Sequence, residues 1–136
     1  MLAARAQHVS DVIAPALDAG TDVVCDRFSG STVAYQGYGR GLDPDDLARM
    51  SSWASVGIEP DVVVLLRVAA DVTESRRAAR GSGDRIEGEG GDFVSRVAGG
   101  FESQARADPR RWRVVDGTGT VDEVAARVWE AVADGS

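Results

Sequence analysis

The sequence predicts an α/β domain built on a parallel sheet with crossover helices. Three observations support this. Val62-Val63-Val64-Leu65-Leu66 is an unbroken β-branched and leucine run, the pattern of a strand buried on both faces. Elsewhere apolar residues recur at three- and four-residue steps, the period of amphipathic helices. The elements then alternate as α, β, α, β, α, loop, α, β, α, an order that argues for parallel strands joined by helical crossovers. With 136 residues, 43% of them apolar, residues 1–136 are expected to form one domain with a packed core.

The elements follow in order. Leu2, Ala6, Val9, Ile13 and Ala16 share one helical face, so a helix is predicted from Met1 to about Ala19. Pro15 should kink it and Gly20 should stop it. Val23–Asp26 reads as a short buried strand. Gly30 to Gly41 is expected to hold a Gly-rich turn. Asp43-Pro44-Asp45-Asp46 has a cap, a proline at the first helical position and acid in the first turn, opening a helix to about Ser55. After Val62–Leu66, Asp71-Val72-Thr73-Glu74 resembles a capping box and leads a helix carrying Arg76, Arg77 and Arg80. Gly81 to Gly91 contains five glycines and is expected to be irregular. A helix from near Asp92 to about Ala107, a strand at Trp112–Asp116 and a helix through Val132 complete the chain. Thr120-Val121-Asp122-Glu123 caps the last helix as a full capping box.

Composition narrows the function. The net charge is −7, which disfavours non-specific binding to nucleic acid or anionic membranes. No segment has the length of a membrane span, and the N-terminal apolar stretch lacks the basic leader of a signal peptide. Cys25 is the lone cysteine and is expected to be a small buried hydrophobe, with no disulfide within the chain, which fits a cytoplasmic location. All 15 cationic residues are arginine, so a cationic side chain that meets a phosphate here presents a guanidinium fork.

The chemistry concentrates in Asp26-Arg27-Phe28-Ser29-Gly30-Ser31-Thr32-Val33-Ala34-Tyr35-Gln36, directly after Val23-Val24-Cys25. A charged pair at the carboxyl end of a strand faces the crevice where α/β proteins bind ligands. An arginine fork, hydroxyls, an aromatic ring and an amide follow one another, a set suited to a phosphorylated base. The competing explanation for Asp26 and Arg27 is a structural ion pair, and for Tyr35 ordinary helix packing.

This run resembles the signature of thymidylate kinases, which phosphorylate dTMP to dTDP with ATP. Ala3-Ala4-Arg5-Ala6-Gln7, Gln36-Gly37-Tyr38-Gly39-Arg40-Gly41 and Asp84-Arg85-Ile86-Glu87 resemble further segments of the family. The resemblance covers essentially the whole chain. It implies a P-loop nucleoside-monophosphate-kinase sheet with flanking helices. It implies a dTMP site of Arg5, Asp26, Arg27, Ser31, Thr32, Tyr35 and Gln36. Arg27 would hold the phosphate, Thr32 and Gln36 would lie near the base edge, and Tyr35 against the deoxyribose. A lid at about 80–91 would carry Arg80, Asp84, Arg85 and Glu87, with Arg27, Arg76 and Arg80 serving catalysis. Mg²⁺ would accompany ATP, and family members are usually homodimers.

Two departures stand out. Met1 occupies a position where the family commonly has a stacking aromatic. The chain also contains no Gly-x-x-x-x-Gly-Lys-[Ser/Thr] loop and no lysine at all. In the family that loop and the first two strands precede the Ala-Ala-Arg segment. The chain therefore reads as the C-terminal two-thirds of such a kinase, with Met1 an internal methionine taken as a start, or as a split or decayed gene. The alternatives are a catalytically inactive nucleotide-binding fragment and another nucleoside-monophosphate kinase.

Overall fold

The computed structural model describes residues 1–69 and 90–133. It contains α1 (Leu2–His8), a π-helical segment Val9–Ile13, α2 (Ala14–Asp18), α3 (Ser29–Thr32), a second π-helical segment Val33–Gly39, α4 (Pro44–Ala54), β1 (Val63–Arg67), α5 (Gly90–Ala107), β2 (Trp112–Asp116) and α6 (Val121–Ala133). The residues group into two contact units. One is Met1–Glu59 with Phe93–Phe101; the other holds the described residues of Pro60–Asp92 and Glu102–Ser136.

In the first unit the expected first helix forms as one helical run from Leu2 to Asp18. Its π-helical segment ends at Ile13, two residues before Pro15, which lacks the N–H for an ordinary helical hydrogen bond to the preceding turn. Val9 and Ile13 are its buried face, as the periodicity requires. Gly20, at φ +72°, ends the run in the left-handed conformation that glycine adopts without penalty. Asp43 caps α4 by accepting from the Asp45 and Asp46 amides at 2.8 and 3.0 Å, with Pro44 at the first turn.

Three expectations fail here. Val23–Asp26 is not a strand. A strand exists only through a hydrogen-bonded neighbour, and no described strand lies within this unit; Val24 is 100% exposed. Cys25 is accordingly exposed rather than buried. The glycine-rich run is a turn only at its end, Arg40–Gly41: Gly37 and Gly39 lie inside the helical segment that ends at Gly39. They serve close packing. A Cβ on Gly39 would come within 2.7 Å of the Phe93 ring and 2.8 Å of Val97 Cγ2. From the opposite side, a Cβ on Gly100 would meet three atoms of Tyr38 at 2.8 Å.

That interlock yields a paired prediction. Alanine favours a helix interior over glycine by about 1 kcal/mol, whereas forced overpacking costs about 1–3 kcal/mol. Gly100→Ala should therefore lose stability in urea denaturation. Gly99→Ala, whose Cβ would meet nothing within 4 Å, should gain up to about 1 kcal/mol. Equal effects of the two would refute the interlock.

In the second unit β1 and β2 pair in parallel, with Val63 opposite Trp112 and Arg67 opposite Asp116. Trp112–Asp116 matches its predicted bounds, and β1 is shifted one residue from Val62–Leu66. β1 is not buried on both faces: Leu66 is 50% exposed, because among the described residues the sheet has only these two strands. The capping box of α6 is reciprocal. Glu123 Oε2 accepts from the Thr120 amide at 2.8 Å, and Thr120 Oγ1 accepts from the Glu123 amide at 3.3 Å. The Thr120 amide and hydroxyl both donate to this carboxylate and, with Arg127 nearby, hold the Glu123 carboxyl below its usual range. α5 begins at Gly90, so Gly90 and Gly91 are helical rather than irregular.

Candidate functional site

The candidate site is built around a backbone irregularity. Arg27 sits at φ +63°, a left-handed conformation uncommon for a residue with a Cβ and concentrated at functional positions. Phe28 then caps α3, and its carbonyl accepts from the Ser31 amide at 3.2 Å. The turn aims the Arg27 side chain back over the helix, where its guanidinium carbon lies 5.1 Å from the centre of the Tyr35 ring. That distance suits a cation–π contact. Among the described residues no carboxylate pairs with Arg27, so the expected competing explanation, an Asp26–Arg27 ion pair, does not form. Asp26 is exposed.

Tyr35 is fixed on its other sides. Its ring meets Phe93 at 6.3 Å and 58°, and Phe101 edge-on at 6.1 Å and 80°, geometries favoured by the ring quadrupole. Phe93, Val97 and Phe101 stand four residues apart on α5, a spacing that marks one helix face in the sequence. Arg96, on the same helix, donates to the Gly39 carbonyl at 3.1 Å.

Arg5 reaches the turn from α1. It donates to the Phe28 carbonyl at 2.9 Å and to Ser51 Oγ at 3.4 Å, and lies 5.2 Å from the Phe28 ring centre. Burial lowers its pKa from the ordinary arginine value, and the neighbouring Cys25 acts in the opposite direction. Sequence reasoning missed Phe28 and Ser51 as its partners, and no local pattern announces either.

Thr32 and Gln36 lie one helical turn apart, so they share a face. Thr32 is 2% exposed, and its Oγ1 and Gln36 Oε1 are both buried without a hydrogen-bond partner. Buried polar atoms normally have partners, and an orphan costs about 1–3 kcal/mol. Ser31 is half-buried beside them. Arg27, Thr32, Tyr35 and Gln36 thus lie on one turn and the helix that follows it, and Arg5 reaches that turn from α1. Met1 is exposed at the head of α1. Arg76, Arg80, Asp84, Arg85 and Glu87, together with the lid up to residue 89, lie outside the described residues.

In the second unit the carboxyl ends of both strands are tied down. Arg67 forks onto Glu102, Nε to Oε1 at 2.8 Å and Nη2 to Oε2 at 2.9 Å; these bonds hold the Glu102 carboxyl below its usual range. At the end of β2, Asp116 accepts from the Thr118 amide at 2.9 Å and from its hydroxyl, which lowers the Asp116 pKa, with Arg127 contributing. Arg127 donates to the carbonyls of Asp116, Thr118 and Glu123. This end of a parallel sheet is where α/β ligand crevices lie.

A sequence model described as thymidylate kinase matches residues 1–128. The chain belongs to the thymidylate kinase family. It is 48% identical over 138 residues to the thymidylate kinase of Solidesulfovibrio magneticus, covering 96% of this chain and 66% of that protein. It is 47% identical over 128 residues to one from a Synechococcus strain, covering 94% and 61%. Its fold is similar to the crystal structure of thymidylate kinase from Ehrlichia chaffeensis, with a TM-score of 0.74 at 27% identity, covering 96% of this chain and 62% of that one. The chain therefore spans just under two-thirds of the length of these family members. The parallel strand pair with flanking helices is the family's P-loop nucleoside-monophosphate-kinase architecture. Among the described residues no helix is long and apolar enough to cross a membrane.

Proposed function

We propose that this chain carries the dTMP site of a dTMP kinase, a single-domain cytoplasmic enzyme that transfers the terminal phosphoryl group of ATP to dTMP. The observation that carries this reading is Arg27, held left-handed over Tyr35 with no carboxylate partner among the described residues. A guanidinium so placed offers two parallel charge-assisted bonds to the oxygens of a nucleotide phosphate. Tyr35, wedged by Phe93 and Phe101, presents a rigid wall to the sugar and disfavours a 2′-hydroxyl. Thr32 Oγ1 and Gln36 Oε1, the orphaned pair, would receive the polar edge of the base. Asp26 and Ser31 flank the phosphate position, and Arg5 supports the same turn.

In this reading transfer is a matter of positioning and charge neutralisation. Arg27 holds the acceptor phosphate, and Arg76 and Arg80, with a lid including Asp84, Arg85 and Glu87, neutralise the migrating charge and exclude water. Mg²⁺ would accompany ATP. The reading includes a homodimer, with the helical run from Leu2 to Asp18 as the interface: Val12 and Leu17 are exposed on it. A second reading, a nucleotide-binding chain without transfer activity, is favoured by one observation: the 136 residues contain neither a Gly-x-x-x-x-Gly-Lys-[Ser/Thr] loop nor a lysine.

Calorimetric titration of the chain with dTMP, thymidine and dCMP tests the site. A charge-assisted hydrogen bond contributes about 1.5–3 kcal/mol, so dTMP should bind roughly 10- to 150-fold more tightly than thymidine, and dCMP more weakly than dTMP. Equal affinities for dTMP and thymidine would overturn the assignment of Arg27. Equal affinities for dTMP and dCMP would point to another monophosphate kinase.

A further inference from the structure

The Tyr35 ring stands on the helical segment Val33–Gly39, and α5 supplies two of the groups that meet it. Phe93 lies 6.3 Å away, tilted at 58°, and Phe101 meets it edge-on at 6.1 Å and 80°. Both phenylalanines come from one face of α5, Val97 standing midway between them in the sequence. Glycines let α5 approach closely: Phe93 fills the space beside Gly39, and Tyr38 fills the space beside Gly100. The second approach falls on the residue just before Phe101, so it also sets where the Phe101 ring stands. All of these residues belong to the first contact unit.

The two phenylalanines differ in burial. Phe93 is 5% exposed and belongs to the core, whereas Phe101 is half-buried. Phe101 can therefore be shortened without emptying the centre of the unit. Resting on the dTMP-site reading above, we propose that Phe101 is a positioning residue for Tyr35 and thereby a determinant of sugar specificity: it holds the tyrosine ring where a 2′-deoxyribose fits and a 2′-hydroxyl does not, without touching the nucleotide. The physical basis is the choice open to the ring. A long side chain on a helix has two populated χ1 wells, and its neighbours decide between them. Rejecting a single oxygen requires a wall held to within about 0.5 Å. When Phe101 is shortened, the Tyr35 ring gains the space that the phenyl ring filled, and the wall recedes from the sugar.

dTMP and 5-methyluridine 5′-monophosphate differ only in the 2′-hydroxyl, so contacts to the base and the phosphate cancel in the ratio of their affinities. That ratio is measured by calorimetry on the 136-residue chain for wild type, Phe101→Leu, Tyr35→Ala and the double variant. Thermal melts confirm that each is folded. Wild type should favour dTMP. Phe101→Leu should lower that preference roughly 2- to 10-fold, the scale of one aromatic pair. Phe101→Tyr, which keeps the ring edge, should retain most of the preference, and Phe101→Met takes the place of Phe101→Leu if that variant does not fold. In the Tyr35→Ala background Phe101→Leu should leave the ratio within about twofold, since coupled residues are not additive. A role for Phe101 in packing alone weakens both ligands equally. An unchanged ratio in Phe101→Leu would therefore overturn the proposal, as would an equal fall in the presence and absence of Tyr35. The underlying reading fails separately: in that case wild type itself would bind the two ligands equally.

Discussion

Arg27→Ala is expected to weaken dTMP by about 1.5–3 kcal/mol, roughly 10- to 150-fold, while leaving thymidine nearly unchanged. The size follows from what is removed. The guanidinium has no carboxylate partner among the described residues, so its bonding capacity is available for a ligand. It is also preorganised, by the left-handed backbone at φ +63° and by the Tyr35 ring 5.1 Å away. Truncation removes the fork and leaves the phosphate to water alone. Relief of the strained φ cannot offset this, because alanine carries the same Cβ penalty. Arg27→Lys should recover only part of the loss, since a point charge does not reproduce two parallel bonds. The check is calorimetric titration against both ligands. dTMP affinity within twofold of wild type would remove Arg27 from the site.

The helices of this protein were legible because their determinants are local. The Asp43 cap with Pro44, the Thr120–Glu123 box and the Val9–Ile13 face are each written within one or two turns of chain, and each forms as read. Val23–Asp26 misled because its residues prefer extended structure while the partner that makes a strand is non-local. The burial expected of Cys25 failed for the same reason. The glycines at 37 and 39 misled differently. Glycine serves either a positive φ or a close approach, and only the facing helix decides; Phe93 and Val97, which fill the space beside Gly39, lie far along the chain. The site divides along the same line. Arg27, Thr32, Tyr35 and Gln36 fall within one short run. The bonds that orient the run cross 23 residues from Arg5 to Phe28 and 46 from Arg5 to Ser51, and no periodicity records them.

The largest expected effect is a complete separation of binding from turnover. Residues 1–136 alone should bind dTMP yet release no ADP above background when supplied with ATP, Mg²⁺ and dTMP. Binding and transfer make different demands. In the proposed site the acceptor phosphate needs one preorganised fork, the role proposed for Arg27. Transfer needs the ATP phosphates held in line at the same time, and in P-loop enzymes that work falls to backbone amides of a Gly-x-x-x-x-Gly-Lys-[Ser/Thr] loop and its lysine. The chain has no such loop, and its 15 cations are all arginine. Arginines can neutralise a migrating charge, but they do not replace a cradle of fixed amides, whose advantage is that it requires no reorganisation as the reaction proceeds. Misplacement of either reactant forfeits the entropic gain of holding both, worth up to about 7–11 kcal/mol, which is enough to lower a typical kinase rate below detection. A coupled assay for ADP, run beside calorimetric dTMP binding on the same sample, separates the outcomes. Binding without turnover is the expected result. Turnover near the ~1–100 s⁻¹ typical of kinases would show that some other set of residues in this chain grips ATP.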